Sequence, residues 1–189
     1  MCYLLPMPVA LMLALYVIAA PGDHRTVIGQ THPRRPAPIV VSSPAFAGGR
    51  IALRNTSYGA NLSPAVRWSP TPGARTYALI LEDPDAHTPA PFVHWLAWNL
   101  PAPIYALADG QSRDAKLASG AVQGRNDAGG VGYYGPRPPP GPAHAYHLEV
   151  FALDVPLALA AGAGRGALAN ALRGHVIADG ETVAVFKAP

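Results

Sequence analysis

Proline and glycine recur along the whole chain, with 22 prolines and 19 glycines among 189 residues, where average usage would put them at roughly 12% of positions. A mainly helical fold is excluded, because an interior proline deletes a hydrogen bond and an interior glycine weakens a helix by about 1 kcal/mol. The same count in a polar chain would mean disorder. Here 50% of residues are hydrophobic, 8% aromatic and only 13% charged, so the chain has the material for a core. The expectation is one loop-rich, all-β domain with one or two short helices near its C-terminus.

The 14 Lys and Arg against 11 Asp and Glu leave a formal charge of +3, and Lys116 and Lys187 are the only lysines. No basic stripe of the kind that binds nucleic acid is visible. Cys2 is the only cysteine, so the folded part has no disulfide and no cysteine-based metal site. Residues 1–20 carry no charge, and the run from Val9 to Ala20 has the length of a secretory core followed by Pro21-Gly22. The sequence therefore predicts a signal peptide over 1–21 and export to the periplasm or medium. An uncleaved membrane anchor over residues 1–20 is the alternative, although the proline-free part falls short of the roughly twenty residues a bilayer asks for. Residues 22–38 read as a Pro-rich linker, and residues 39–189 as the domain.

From Ile39 onward, short apolar runs alternate with turn signals. Strands are expected over 39–41, 49–55, 77–82, 92–100, 146–154 and 183–186, with 61–64 as a turn. A helix is expected over 167–173, with Leu168 and Leu172 four apart and Gly174 as its C-terminal cap. The forty or so residues between the second and third long apolar runs are too many for a passive connection. A loop of that kind is where function is expected.

Asp83-Pro84-Asp85 closes the run Tyr77 to Glu82, and taken alone it is ordinary turn chemistry. On a strand of period two, His94 shares a face with Phe92, Leu96 and Trp98, and a buried histidine in such a place is usually just a satisfied core residue. His144 and Tyr146 share a face with Leu148 and Val150. The stretch Gly135 to Gly141 is a proline-stiffened loop, either a connector or one wall of a pocket. Together these pieces describe a small polar pocket in an apolar sheet, rich in hydrogen-bond donors suited to an oxyanion. The aspartates would hold the imidazoles charged and oriented, or take the cationic part of a zwitterion.

These residues carry a resemblance to the phosphatidylethanolamine-binding protein family, in its bacterial Raf-kinase-inhibitor-like branch. It runs from about Ser42 to Phe186 through SPAF (43–46), NLSP (61–64), ALILEDPDA (78–86), FVHWLAWNLP (92–101), QGRNDAG (123–129), GYYGPRPPPG (132–141), HAYHLEVFALD (144–154) and GHVIADGE (174–181). The resemblance implies a central antiparallel sheet flanked by a smaller sheet, and a shallow pocket for phosphate-like anions. Its pocket residues carry over to Asp83, Asp85, His94, Gly135, Pro136, His144 and Tyr146. Bacterial relatives usually have T-C-D-G where this chain has Thr56-Ser57-Tyr58-Gly59, and a cysteine where it has Arg137. His87 and Ala145 replace the usual proline and arginine.

The expected function is non-catalytic recognition of a phospholipid head group or phosphorylated small molecule. A protein-contact inhibitor of a kinase or protease is the alternative, and the resemblance also admits a homodimer. A hydrolase is the least supported reading, since no elbow-type serine and no His-x-x-x-His pair is present. Nothing in the sequence asks for a cofactor or a metal.

Overall fold

The computed structural model of the chain describes residues 22–34 and 38–189. The expected signal peptide or anchor at 1–21 lies outside them. No described helix is long and apolar enough to cross a membrane.

The described strands are β1 (Val41–Ser42), β2 (Val66–Trp68), β3 (Thr76–Asp83), β4 (Phe92–Pro101), β5 (Ala106–Leu107), β6 (Val122–Gln123), β7 (His144–Leu153) and β8 (Val176–Phe186), with one α-helix, α1 (Arg165–Leu172). They form a five-stranded sheet in the order β6-β4-β3-β7-β8 and a three-stranded sheet in the order β1-β2-β5. Every strand pair in both sheets is antiparallel. The expected architecture, a central sheet with a smaller one beside it, is what the chain adopts.

Both faces of the large sheet are covered, which is why β3 is buried along its whole length and reads as a continuous apolar run instead of an alternating one. One face packs Tyr77, Leu79, Leu81, Trp95, Tyr146, Leu148 and Val150 against Val41, Val66, Trp68 and Leu107 of the small sheet. The other packs Ala78, Ile80, Leu96, Trp98, Phe151 and Leu153 against Leu168 and Leu172 of α1 and against Val27. Burial of such side chains contributes about 1.5–3 kcal/mol each.

The run 49–55, expected as a strand, is instead 3-10 turns over Pro44–Gly49 and Leu53–Asn55. Gly48 and Gly49 at positive φ turn the chain away from the extended form. The last strand is far longer than 183–186, because Asp179-Gly180, which looks like a turn, runs straight through it. Gly180 is needed for close approach: a Cβ there would lie 1.9 Å from the Ile39 carbonyl oxygen.

The linker reading of 22–38 is also corrected over its described first part. Val27 is buried, and its N–H donates to Glu82 Oε1 at 2.5 Å while the Ile28 N–H donates to Glu149 Oε2 at 3.1 Å. Thr31 Oγ1 donates to Asp179 Oδ2 at 2.6 Å. The segment is a strap over the α1 face of the sheet, held by backbone N–H groups that each donate to one oxygen of a buried Glu and by the Thr31 hydroxyl.

Under that strap, burial and then the negative charges of Glu82 and Glu181 hold the Glu149 carboxyl well above its ordinary value of 4.5. An acid raised by folding stabilises fully below its ordinary value and loses that contribution as pH rises through the raised one. Glu149→Gln removes the titrating group. Thermal melting from about pH 5 to about pH 8 is therefore expected to show the unaltered protein losing stability relative to this variant as pH rises. Parallel profiles would refute a titrating Glu149.

Candidate functional site

The cleft forms where β3, β4 and β7 end together. Asp83 is the last residue of β3 and His144 the first of β7, its antiparallel neighbour. Both side chains are buried, and His144 Nδ1 donates to Asp83 Oδ2 at 2.8 Å. The other carboxylate oxygen of Asp83 accepts the Asp85 N–H at 2.9 Å. Burial raises the Asp83 carboxyl above its ordinary range, and the hydrogen bond and charge of His144 oppose that shift. Since a carboxylate only accepts, the His144 Nδ1 carries the proton and Nε2 is the atom left for a ligand.

His94 reaches the same cleft by a different device. Leu81 pairs with Trp95 and Glu82 with Val93, so His94 is the extra residue of a β-bulge in β4. The bulge breaks the period of two and re-aims the imidazole. His94 consequently faces the cleft with Phe92, while Leu96 and Trp98 pack on the opposite face of the sheet. The expectation that all four share a face is wrong for that reason. Its Nδ1 donates to the Tyr134 carbonyl at 2.7 Å. Burial pushes the imidazole down to about 4, so near neutral pH the ring is uncharged and Nε2 is an acceptor. Of the two histidines, only His144 is paired with a carboxylate.

Tyr146 sits on the floor between the histidines, with its ring 5.3 Å from that of His94 and 6.4 Å from that of His144. It is fully buried, and its hydroxyl has no hydrogen-bond partner among the described residues. Burial, with the charge of Asp83 behind it, raises the phenol further above its ordinary range, so it stays a neutral donor.

The remaining expected site residues act behind the cleft. Asp85 is exposed, and its Oδ2 accepts the Ala145 N–H at 2.8 Å, which ties the turn after β3 to the start of β7. Gly135 and Pro136 are buried away from the cavity: the Gly135 N–H donates to Asn61 Oδ1 at 2.7 Å and the Pro136 carbonyl accepts the Ser57 N–H at 3.0 Å. The wall itself is Tyr134, Arg137, Pro138 and Pro139, with Ala86 and His87 on the turn side, enclosing about 260 Å³. Asp83, His94, His144 and Tyr146 thus converge, while Asp85, Gly135 and Pro136 position the groups that do. Pro138 lies within the loop already legible as a wall and Tyr134 directly before it; His87 carried no signal beyond its place after the turn. Among the described residues, no group of three or more His, Cys, Asp or Glu is placed to hold a metal ion.

The topology that frames this cleft is shared with other proteins. The family model described as phosphatidylethanolamine-binding protein matches residues 41–187. A UPF0098 protein of Methanothermobacter thermautotrophicus is 38% identical over 140 residues, 74% of this chain and 91% of that one. The UPF0098 protein YbcL of Escherichia coli is 39% identical over 134 residues, 68% of this chain and 73% of its own. The crystal structure of YbcL, described as a member of the mammalian PEBP family, superposes with a TM-score of 0.72 at 32% identity, covering 81% of this chain and all 100% of that one. A phosphatidylethanolamine-binding-protein homologue from Chlamydia trachomatis gives 0.72 at 33% identity over 80% of this chain and 99% of that one. With the match running from β1 to the residue after β8, the chain belongs to the phosphatidylethanolamine-binding protein family.

Proposed function

We propose that the cleft is a non-catalytic binding site for a small phosphate-bearing anion, in a protein that works after export. The observation that carries this reading is the Tyr146 hydroxyl, fully buried in the lining of the cleft with no partner among the described residues. An unmet buried donor costs about 1–3 kcal/mol, and an acceptor brought by a ligand removes that cost. The Arg137 guanidinium adds a charge-assisted donor beside the same space. The family name of the matching model agrees with such a ligand.

Tyr146→Phe separates a binding role from a packing role, because it deletes only the hydroxyl. The variant is expected to melt about 2–4 °C higher and to bind inorganic phosphate about tenfold or more weakly by calorimetry. Phosphate affinity left intact in Tyr146→Phe, or absent from the unaltered protein, would remove the support for this reading.

A further inference from the structure

Arg137 lies on the loop that closes the cleft, and the backbone on both sides of it is pinned. The Ser57 N–H donates to the Pro136 carbonyl at 3.0 Å, Ser57 Oγ to the Gly135 carbonyl at 2.9 Å, and Tyr58 Oη to the Pro138 carbonyl at 2.7 Å. Proline at 136, 138 and 139 restricts φ at each of those positions. The guanidinium therefore springs from a backbone already ordered before any ligand arrives, which lowers the entropy lost on binding. Among the described residues, Arg137 is the only lysine or arginine in the cleft lining. It is exposed, and no carboxylate within ion-pairing distance of it is found among the described residues.

The acidic groups nearby are engaged. Both oxygens of Asp83 accept protein donors, from Asp85 and His144, and Asp85 stands outside the lining with an oxygen on the Ala145 N–H. Among the described residues, a ligand ammonium entering the cleft would meet one carboxylate, Asp83, whose two oxygens each already accept a protein donor, and would meet Arg137. The expectation that an aspartate takes the cationic part of a zwitterion is not supported by this arrangement.

We infer that Arg137 makes the cleft select the dianion of a phosphate monoester over the phosphodiester of a zwitterionic lipid head group. The inference rests on the anion-binding reading given above. A guanidinium fork matches two oxygens of a terminal phosphate. Above the second ionisation, near pH 6, a monoester carries about two charges, whereas a diester carries one. The ammonium of a zwitterionic head group adds repulsion against the wrong ligand. The other titratable groups facing the space are Asp83, His87, His94, Tyr134, His144 and Tyr146, so the comparison is made at a single pH.

Calorimetric titration of the unaltered protein, Arg137→Gln and Arg137→Lys at about pH 8 with sn-glycerol 3-phosphate and glycerophosphoethanolamine tests this. The unaltered protein should bind the monoester at least about tenfold more tightly than the diester. Arg137→Gln should lose about 10- to 100-fold for the monoester and nothing for the diester, so the preference collapses. Arg137→Lys should fall between, keeping the charge without the fork. Equal affinities in the unaltered protein, or a preference that survives in Arg137→Gln, would overturn the role of Arg137 and leave the anion site standing. Failure of the unaltered protein to bind either probe or inorganic phosphate would overturn both.

Discussion

Replacing Arg165 with alanine is expected to cost about 3–5 kcal/mol, a drop in melting temperature on the order of 10 °C for a domain of this size. Glu82 is fully buried, and three donors meet its carboxylate. Arg165 Nε donates to Oε2 at 2.5 Å, an Arg165 terminal nitrogen lies 3.4 Å from Oε1, and the Val27 N–H donates to Oε1 at 2.5 Å. The guanidinium also donates to the Arg25 carbonyl at 2.7 Å, so one side chain ties α1, β3 and the strap together. Without it, a buried carboxylate keeps a single backbone donor and lies beside the equally buried Glu149. The double variant Arg165→Met with Glu82→Gln should be less destabilised than Arg165→Ala, because it removes the stranded charge as well as its partner. Urea melting of both variants checks this. A loss under about 1 kcal/mol for Arg165→Ala would mean that the pair behaves as an exposed one.

Gly135→Ala is the second substitution with a large expected effect, and it reaches the cleft through the backbone. A Cβ at 135 would lie 2.8 Å from the Asn55 carbonyl oxygen, the Ser57 nitrogen and the Thr56 carbonyl carbon. All three are main-chain atoms, so the loop has to move and not its neighbour's side chain. The hydrogen bonds from Ser57 to Gly135 and Pro136 and from Gly135 to Asn61 are the ones put at risk. Overpacking of this kind costs about 1–3 kcal/mol, occasionally more, and it displaces Arg137, Pro138 and Pro139 from the cleft. A lower melting temperature together with about tenfold or greater loss of phosphate affinity is expected. A folded Gly135→Ala protein with unchanged affinity would show that the wall does not depend on this contact.

Much of the fold was legible because its signals are local. The runs at 77–82, 92–100 and 146–154 are strands β3, β4 and β7, since only a strand covered on both faces needs so continuous an apolar run. The helix at 167–173 begins two residues earlier, at Arg165. What failed to be legible depends on partners distant in sequence. Gly180 looks like a turn until Ile39 is seen to need its missing Cβ. Val27 and Ile28 look like linker until Glu82, 55 residues on from Val27, and Glu149, 121 residues on from Ile28, are seen to need their backbone donors. Strands β2, β5 and β6 are two or three residues long, too short for any period to show.

The candidate site divides the same way. Residue types and order in the sequence were enough to mark Asp83, His94, His144 and Tyr146 as one polar group, because a carboxylate, imidazoles and a phenol placed on strands are chemically conspicuous wherever they stand. Which of them faces the cleft, and in what state, was decided only by tertiary structure. The bulge that re-aims His94 is a mismatch in register between β4 and β3, a property of the pair and of neither strand alone. The neutrality of His94, the tie between Asp83 and His144 and the orphaned hydroxyl of Tyr146 follow from burial and distance, which exist only once the chain has folded. Even the proline-rich loop was readable as a wall, but not the atoms that hold it: Ser57 and Tyr58 lie some eighty residues away in sequence, and they place Arg137 over the cleft.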